Sequence, residues 1–114
     1  MLVEDNKGVS LLKVQVYAGN EAFPIEGARV VISCQEKIEA FLITDENGST
    51  PYIKLPSPKR EESLSPQMGE KSYVYRGNIY ADGFMPKKDL YISLVGGTSS
   101  VLKVNLIPLY KGGN

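Results

Sequence analysis

The sequence predicts an all-β protein, a single seven-stranded antiparallel Greek-key β-sandwich. Three observations lead to this fold class. Apolar and polar residues alternate at the two-residue period of strands, and no window shows the 3.6-residue apolar stripe of an amphipathic helix. Turn residues such as Gly, Asn, Asp and Pro separate the alternating segments at intervals of about ten to fifteen residues.

Each of the seven predicted strands is closed by a turn signal. The first covers residues 11–17 and directs Leu12, Val14 and Val16 to one face. The others cover residues 28–34, 38–44, 50–55, 73–81, 90–94 and 100–107. Gly77 falls on a core-facing position, which predicts a bulge or a bulky neighbour. The same parity assigns to the core Val30, Ile32, Cys34, Tyr73, Tyr75, Ile79, Ala81, Leu90, Ile92, Leu94, Leu102, Val104 and Leu106.

The length of 114 residues corresponds to one domain. We expect polar tails at residues 1–9 and 111–114 and the sandwich at residues 10–110. One long connection, residues 56–72, carries three prolines and a charged run without any period. Its best apolar anchor is Leu64, which we expect to hold this connection against the body of the domain.

Composition excludes several classes of function. Lys plus Arg and Asp plus Glu both number 13, and this balance argues against nucleic acid as a partner. The chain has no histidine, so Ser-His-Asp and Cys-His catalysis are excluded, and its single cysteine, Cys34, permits no internal disulfide. No apolar stretch approaches a membrane span, so no membrane insertion is expected. The N-terminus lacks a signal peptide, which predicts synthesis in the cytoplasm.

Two short motifs are candidates for a ligand or modification site. Asp45, Asn47 and Gly48 resemble a fragment of a calcium loop, but the far acidic ligand and flanking helices are missing, so a hairpin turn is preferred. Asn47-Gly48-Ser49 also matches the N-glycosylation pattern, which three residues often do by chance. We therefore expect no catalytic residues, no cofactor and no bound metal.

Exposed tyrosines and one charged run form the candidate interaction surface. Parity directs Tyr80 and Tyr91 outward, where tyrosine supplies large rigid contact area for a sugar ring or a partner subunit, although cross-strand pairs that merely cover the sheet are an equal alternative. The adjacent carboxylates Glu61 and Glu62 lie beside two cations, as in a solvated loop rather than an acid–base pair. The candidate residues are Tyr52, Lys59, Arg60, Glu61, Glu62, Tyr80 and Tyr91.

Four segments resemble carboxypeptidase-regulatory-like domains, which share the transthyretin-like (prealbumin-like) sandwich. These are residues 12–16, 24–32, 44–50 and 75–84, and the resemblance extends over residues 10–108. Residues 50–58, 63–66 and 104–109 are similar to modules of spore-forming Gram-positive bacteria, found with spore-cortex-lytic enzymes or near phage-tail genes. Tyr75-Arg76-Gly77-Asn78 is close to a motif of hydroxyisourate hydrolases, but those enzymes need histidines and carry the motif near the C-terminus.

With this resemblance, the lack of a signal peptide and the small size of the chain lead us to expect a non-catalytic structural or assembly module, a component of a phage-tail-like particle or of an envelope-associated complex. Its expected partners are protein subunits, and its expected final site is a released particle or the cell envelope. The alternative is a peptidoglycan- or carbohydrate-binding accessory domain of a cell-wall or spore-cortex hydrolase system. That alternative predicts that Tyr52, Tyr80 or Tyr91 group on one exposed face. An enzyme would need a pocket with a perturbed ionisable group, and no pair of suitable spacing is present, so the chain is expected not to be an enzyme.

Overall fold

The computed structural model describes residues 8–35, 37–56, 74–94 and 96–109. The described residues form an all-β sandwich of two four-stranded sheets and contain no helix. The strands are β1 (Val9–Ala18), β2 (Phe23–Pro24), β3 (Arg29–Cys34), β4 (Lys37–Ile43), β5 (Ile53–Pro56), β6 (Val74–Tyr80), β7 (Lys87–Ser93) and β8 (Ser99–Leu106).

The first sheet, sheet A, is built around β1. On one side of β1, β5 pairs with the first half of β1 and β2 pairs with the end of β1. Both strands are antiparallel to β1. On the other side β8 runs parallel to β1 over eight residue pairs, from Leu11↔Ser99 to Ala18↔Leu106. All other pairs of described strands are antiparallel, and this parallel pair joins the first described strand to the last.

The second sheet, sheet B, has the order β4-β3-β6-β7 and is antiparallel throughout. Two irregularities interrupt its registers. Glu39 of β4 is an extra residue opposite the Ile32–Ser33 step of β3, and a second shift lies between Gly77 and Ile79 of β6. The predicted irregularity at Gly77 is confirmed, and a bulky neighbour is present too: a Cβ there would lie 3.3 Å from Cδ1 of Ile92.

Alternating side chains of the two sheets form the core. Along β1 every second residue is buried, among them Leu12, Val14 and Val16, as the period predicts. Sheet B contributes Val30, Ile32, Tyr75, Ile79 and Ile92, and β8 contributes Val104 and Leu106. Burying a Val, Leu, Ile or Phe side chain contributes about 1.5–3 kcal/mol, so this shared core is the main stabilising element.

The turn after β4 is fastened to β1 by backbone and threonine contacts. Gly48 accepts a hydrogen bond from the amide of Val16 at 2.7 Å. The hydroxyl of Thr50 accepts from the amide of Val14 at 3.0 Å. The buried hydroxyl of Thr44 donates to the carbonyl of Ile25 at 2.6 Å and accepts from the amide of Ala28 at 2.9 Å. These buried bonds connect the turn to both sheets.

The structure corrects the number of strands. Among the described residues, seven strands lie within a few residues of the predicted ones, and β2 is an eighth, between the first two predicted strands. A turn closed by the 3.2 Å hydrogen bond from the Ala22 amide to the Gly19 carbonyl returns the chain onto β1, which pairs Phe23 with Ala18. The predictions for Leu64 and Tyr73 lie outside the described residues.

Candidate interaction surface

The structure distributes the predicted site residues over both faces of the sandwich. Tyr52 lies on the outer face of sheet A, where the Lys13 ammonium sits 5.5 Å from its ring centroid. Tyr80 and Tyr91 belong to the outer face of sheet B. The three tyrosines are therefore not grouped. The predicted residues Lys59, Arg60, Glu61 and Glu62 lie outside the described residues.

Tyr91 is the most exposed of these tyrosines and has a cationic neighbour. It is 69% exposed and stands opposite Arg76, whose guanidinium carbon is 5.3 Å from the ring centroid. Arg76 also lies 4.0 Å from an Asp89 carboxylate oxygen, a surface ion pair of small energetic value. Tyr80 is half-buried and lies four residues after Arg76 on β6, a distance of roughly 13 Å at the rise of a strand.

A stripe of large apolar side chains on the edge strand β4 was missed by the sequence analysis. Ile38, Phe41 and Ile43, called here the β4 stripe, are 66%, 56% and 56% exposed. Their partners on β3 are Ser33, Val31 and Arg29, which face outward, so all three stripe residues lie on the outer face of sheet B. The signal in the sequence is that strand 37–43 carries apolar residues at both parities, although only one face can point into the core.

The edge of β4 also carries few charged side chains that would oppose pairing with a strand of another chain. Among the described residues β4 pairs only with β3, so its other edge carries free backbone groups. Its two charges, Lys37 and Glu39, lie in its first half, where Glu39 also forms the bulge. Its second half, residues 40–43, is regular and wholly apolar. The opposite edge strand, β7, by contrast begins with the charged run Lys87-Lys88-Asp89.

The outer face of sheet A is of mixed polarity and carries three lysines. By register Lys13, Gln15 and Tyr17 of β1 lie there beside Lys103 of β8 and Lys54 of β5. Lys103 lies 3.7 Å from the Glu21 carboxylate. A shallow pocket of about 270 Å³ opens on this face and is lined by Val9, Leu11, Lys54, Gly97, Thr98 and Ser99. An ammonium and two hydroxyl residues beside apolar walls could receive an anionic or polyhydroxylated group.

The turn at Asp45 has the geometry of a side-chain-capped turn. The Asp45 carboxylate accepts hydrogen bonds from the amides of Asn47 at 2.9 Å and Ser49 at 3.0 Å. The Ser49 bond, followed by the Asn47 bond, lowers the pKa of this carboxyl below its usual 3.8. In the described part of the chain no three His, Cys, Asp or Glu residues are close enough to share a metal ion, and no helix could cross a membrane.

Comparison with known proteins identifies the fold. No protein-family model and no curated protein matches the chain. Among solved structures, the Bacillus anthracis TIE protein superposes with a TM-score of 0.64 at 15% identity, over 90% of this chain and 17% of that protein. Catechol 1,2-dioxygenase from Acinetobacter sp. ADP1 gives 0.59 at 14% identity, over 98% and 56%. 3-Chlorocatechol 1,2-dioxygenase from Rhodococcus opacus 1CP gives 0.55 at 12% identity, over 96% and 64%.

These matches correct the prediction that the chain is not an enzyme. A sandwich of this fold occurs in catechol 1,2-dioxygenases, which are enzymes, so the fold does not exclude catalysis. The physical reason is that a sandwich is a scaffold, and chemistry depends on the groups placed on its loops and faces. In each match the chain spans less than two thirds of the other protein. The similarity to these proteins is one of β-sandwich fold.

Proposed function

We propose that this chain is a structural assembly module that joins protein subunits through the β4 stripe. The observation that carries the proposal is that three large apolar side chains, each more than half exposed, lie together on an edge strand. Isolated exposed apolar residues are ordinary on protein surfaces, but a contiguous group on one face is typical of a contact site.

Covering this surface would supply part of the binding energy of a protein–protein contact. Covering the exposed half of each stripe residue would contribute about 1 kcal/mol, or about 3 kcal/mol in total, which is roughly a hundredfold in Kd. The edge at residues 40–43, which no described strand pairs with, can add backbone hydrogen bonds if a partner supplies an extended strand. The contact would therefore combine apolar packing on the outer face with pairing at the edge.

The finer identity that we propose follows the sequence resemblance. The chain would be a carboxypeptidase-regulatory-like domain with prealbumin-like Greek-key connections. It would act in a phage-tail-like particle or in an envelope-associated complex. The use of this fold as one part of a longer protein is supported by the TIE protein, of which the chain covers 17%.

Substitution of the stripe tests the proposal. Phe41→Thr combined with Ile43→Thr places strand-forming β-branched side chains at both positions but removes about 2 kcal/mol of contact energy, roughly thirtyfold in affinity. The matched control is Val101→Thr, which changes an apolar residue, 44% exposed, on the outer face of sheet A. Tagged chains recovered from the cells that encode them should retain their partner in the wild type and the control and lose it in the double variant. Equal retention by all three would refute the proposal.

A second candidate function, carbohydrate binding, is favoured by the outer face of sheet A. There Tyr52 packs under Lys13, and the pocket beside Lys54 offers an ammonium with two hydroxyl residues. A sedimentation assay with purified cell wall tests this candidate, with Lys54→Ala and Tyr52→Ala as variants. Binding should exceed that of an unrelated sandwich domain and fall in both variants, whereas no pelleting above that control would contradict it.

A further inference from the structure

The first and last described strands, β1 and β8, are parallel neighbours, and this determines how the domain responds to a pulling force between its ends. The chain enters sheet A at the start of β1 and leaves it at the end of β8. Because the two strands run in the same direction, entry and exit lie at opposite ends of the sheet. At the rise of a strand, the ten residues of β1 separate these ends by about 30 Å.

Tension between entry and exit would load the β1–β8 hydrogen bonds in shear. The bonds join the strands across the pulling direction, so the strands must slide past one another and the whole ladder is stressed together. Two backbone bonds extend the ladder at the entry end, from Leu11 N to Thr98 O at 2.9 Å and from Gly97 N to Val9 O at 2.8 Å. On its other side β1 is held by β5, by the Gly48–Thr50 turn and by β2.

The exit end is anchored as well. The Asn105 side-chain carbonyl accepts from the amides of Asn20 and Glu21 at 3.0 and 3.4 Å. Beyond β8, Leu109 donates to the Gly83 carbonyl at 2.9 Å. The inward side chains of β8, Val104 and Leu106, are 4% and 1% exposed and pack in the core. The last described strand is therefore fastened to the rest of the sandwich at both of its ends.

From this topology we propose a further function: the domain transmits tension along a longer chain or fibre, with the β1–β8 pair as its mechanical clamp. The inference does not depend on the β4 stripe, which lies on the other sheet. A domain serving only as an adhesive surface has no need of strength along this particular axis. The proposal therefore concerns direction. The unfolding force should be high when the domain is pulled between its termini, and low when the β1–β8 ladder is unzipped one residue pair at a time.

Single-molecule pulling of the full chain in two geometries tests this inference. In the first, the handles are at the two termini. In the second, in a Cys34→Ala background, the handles are at the C-terminus and at Ala22→Cys, an exposed position in the turn that follows β1. Because β1 ends next to the end of β8, β8 is then unzipped pair by pair from Leu106. Unfolding of residues 9–106 should lengthen the tether by roughly 300 Å in the first geometry, which identifies complete events.

The expected result is a severalfold higher unfolding force between the termini than in the unzipping geometry at the same pulling speed. Both geometries use a molecule of nearly the same stability, so a difference reports direction. Equal forces, or a lower force between the termini, would overturn the inference. Val104→Ala in β8 and Val30→Ala in β3 are a matched pair: the first should lower the terminal force more, and an equal loss in both would also contradict the clamp.

Discussion

Gly48 is the residue at which the account of the fold can be tested most sharply. Its φ of +78° is left-handed, and a Cβ there would lie 2.6 Å from the Val16 carbonyl oxygen and 3.1 Å from the Ile25 nitrogen. Val16 cannot yield easily, because its amide bonds to Gly48 and its carbonyl accepts from Ile25. Gly48→Ala therefore combines an unfavourable backbone conformation with a clash against backbone.

The magnitude follows from these two effects. The left-handed conformation costs an L-residue about 1–2 kcal/mol. Relieving the clash requires the turn to move away from β1, which costs one or two backbone hydrogen bonds at about 1 kcal/mol each. We expect Gly48→Ala to lower the free energy of unfolding by about 3 kcal/mol, a large part of the total for a domain of this size.

Gly83→Ala is the matched control. Gly83 has a φ of +86°, and no atom lies within 4 Å of the position that its Cβ would take. This variant should therefore show the conformational cost alone, about 1–2 kcal/mol. Urea unfolding, followed by circular dichroism, measures both free energies. If Gly48→Ala lost no more stability than Gly83→Ala, the close packing of the turn on β1 would be refuted.

Three further predictions concern the same turn and the proposed contact surface. Thr44→Val should lower the free energy of unfolding by about 2–5 kcal/mol, because it leaves the Ala28 amide and the Ile25 carbonyl buried without their partner. Thr44→Ser keeps both bonds and should lose about 1 kcal/mol, so equal losses in urea unfolding would contradict this role of the hydroxyl. The pKa of Asp45 is lowered in the folded state, so its contribution to stability is present above pH 3.8 and is lost as the pH falls through the folded value. Asp45→Asn keeps an acceptor oxygen but removes the titration, so its unfolding free energy should approach that of the wild type below pH 3.8; a constant difference across the acid range would argue against the capping role. Phe41→Thr and Ile43→Thr should each change stability by only about 0.5 kcal/mol, since both side chains are exposed, and a loss of several kcal/mol would show that they support the fold instead.

The elements that were predictable from the sequence are those set by local alternation. The period of β1 identified Leu12, Val14 and Val16 as core residues because a strand with one buried face must alternate. The inward direction of Tyr75 and Ile79 followed from the same rule, and so did the outward direction of Tyr91.

The features that were not predictable depend on which strands meet. Alternation in β1 and β8 is the same whether they pair with each other or with different strands, so the parallel pair left no local signal. The two residues of β2 are too few to show a period. The β4 stripe was missed because Phe41 and Ile43 look like core residues until their pairing with the outward residues Val31 and Arg29 of β3 is known.

Site-specific photo-crosslinking tests most directly whether the β4 stripe is the contact surface. A photoreactive amino acid would replace Phe41 in one chain and Val101 in another, each expressed in the cells that encode the protein. Crosslinks to one defined protein species from position 41, and none from position 101, are the predicted result; a product of twice the 12.5 kDa chain mass would identify that species as a second copy. Crosslinks from position 101 alone, or from neither position, would contradict the account.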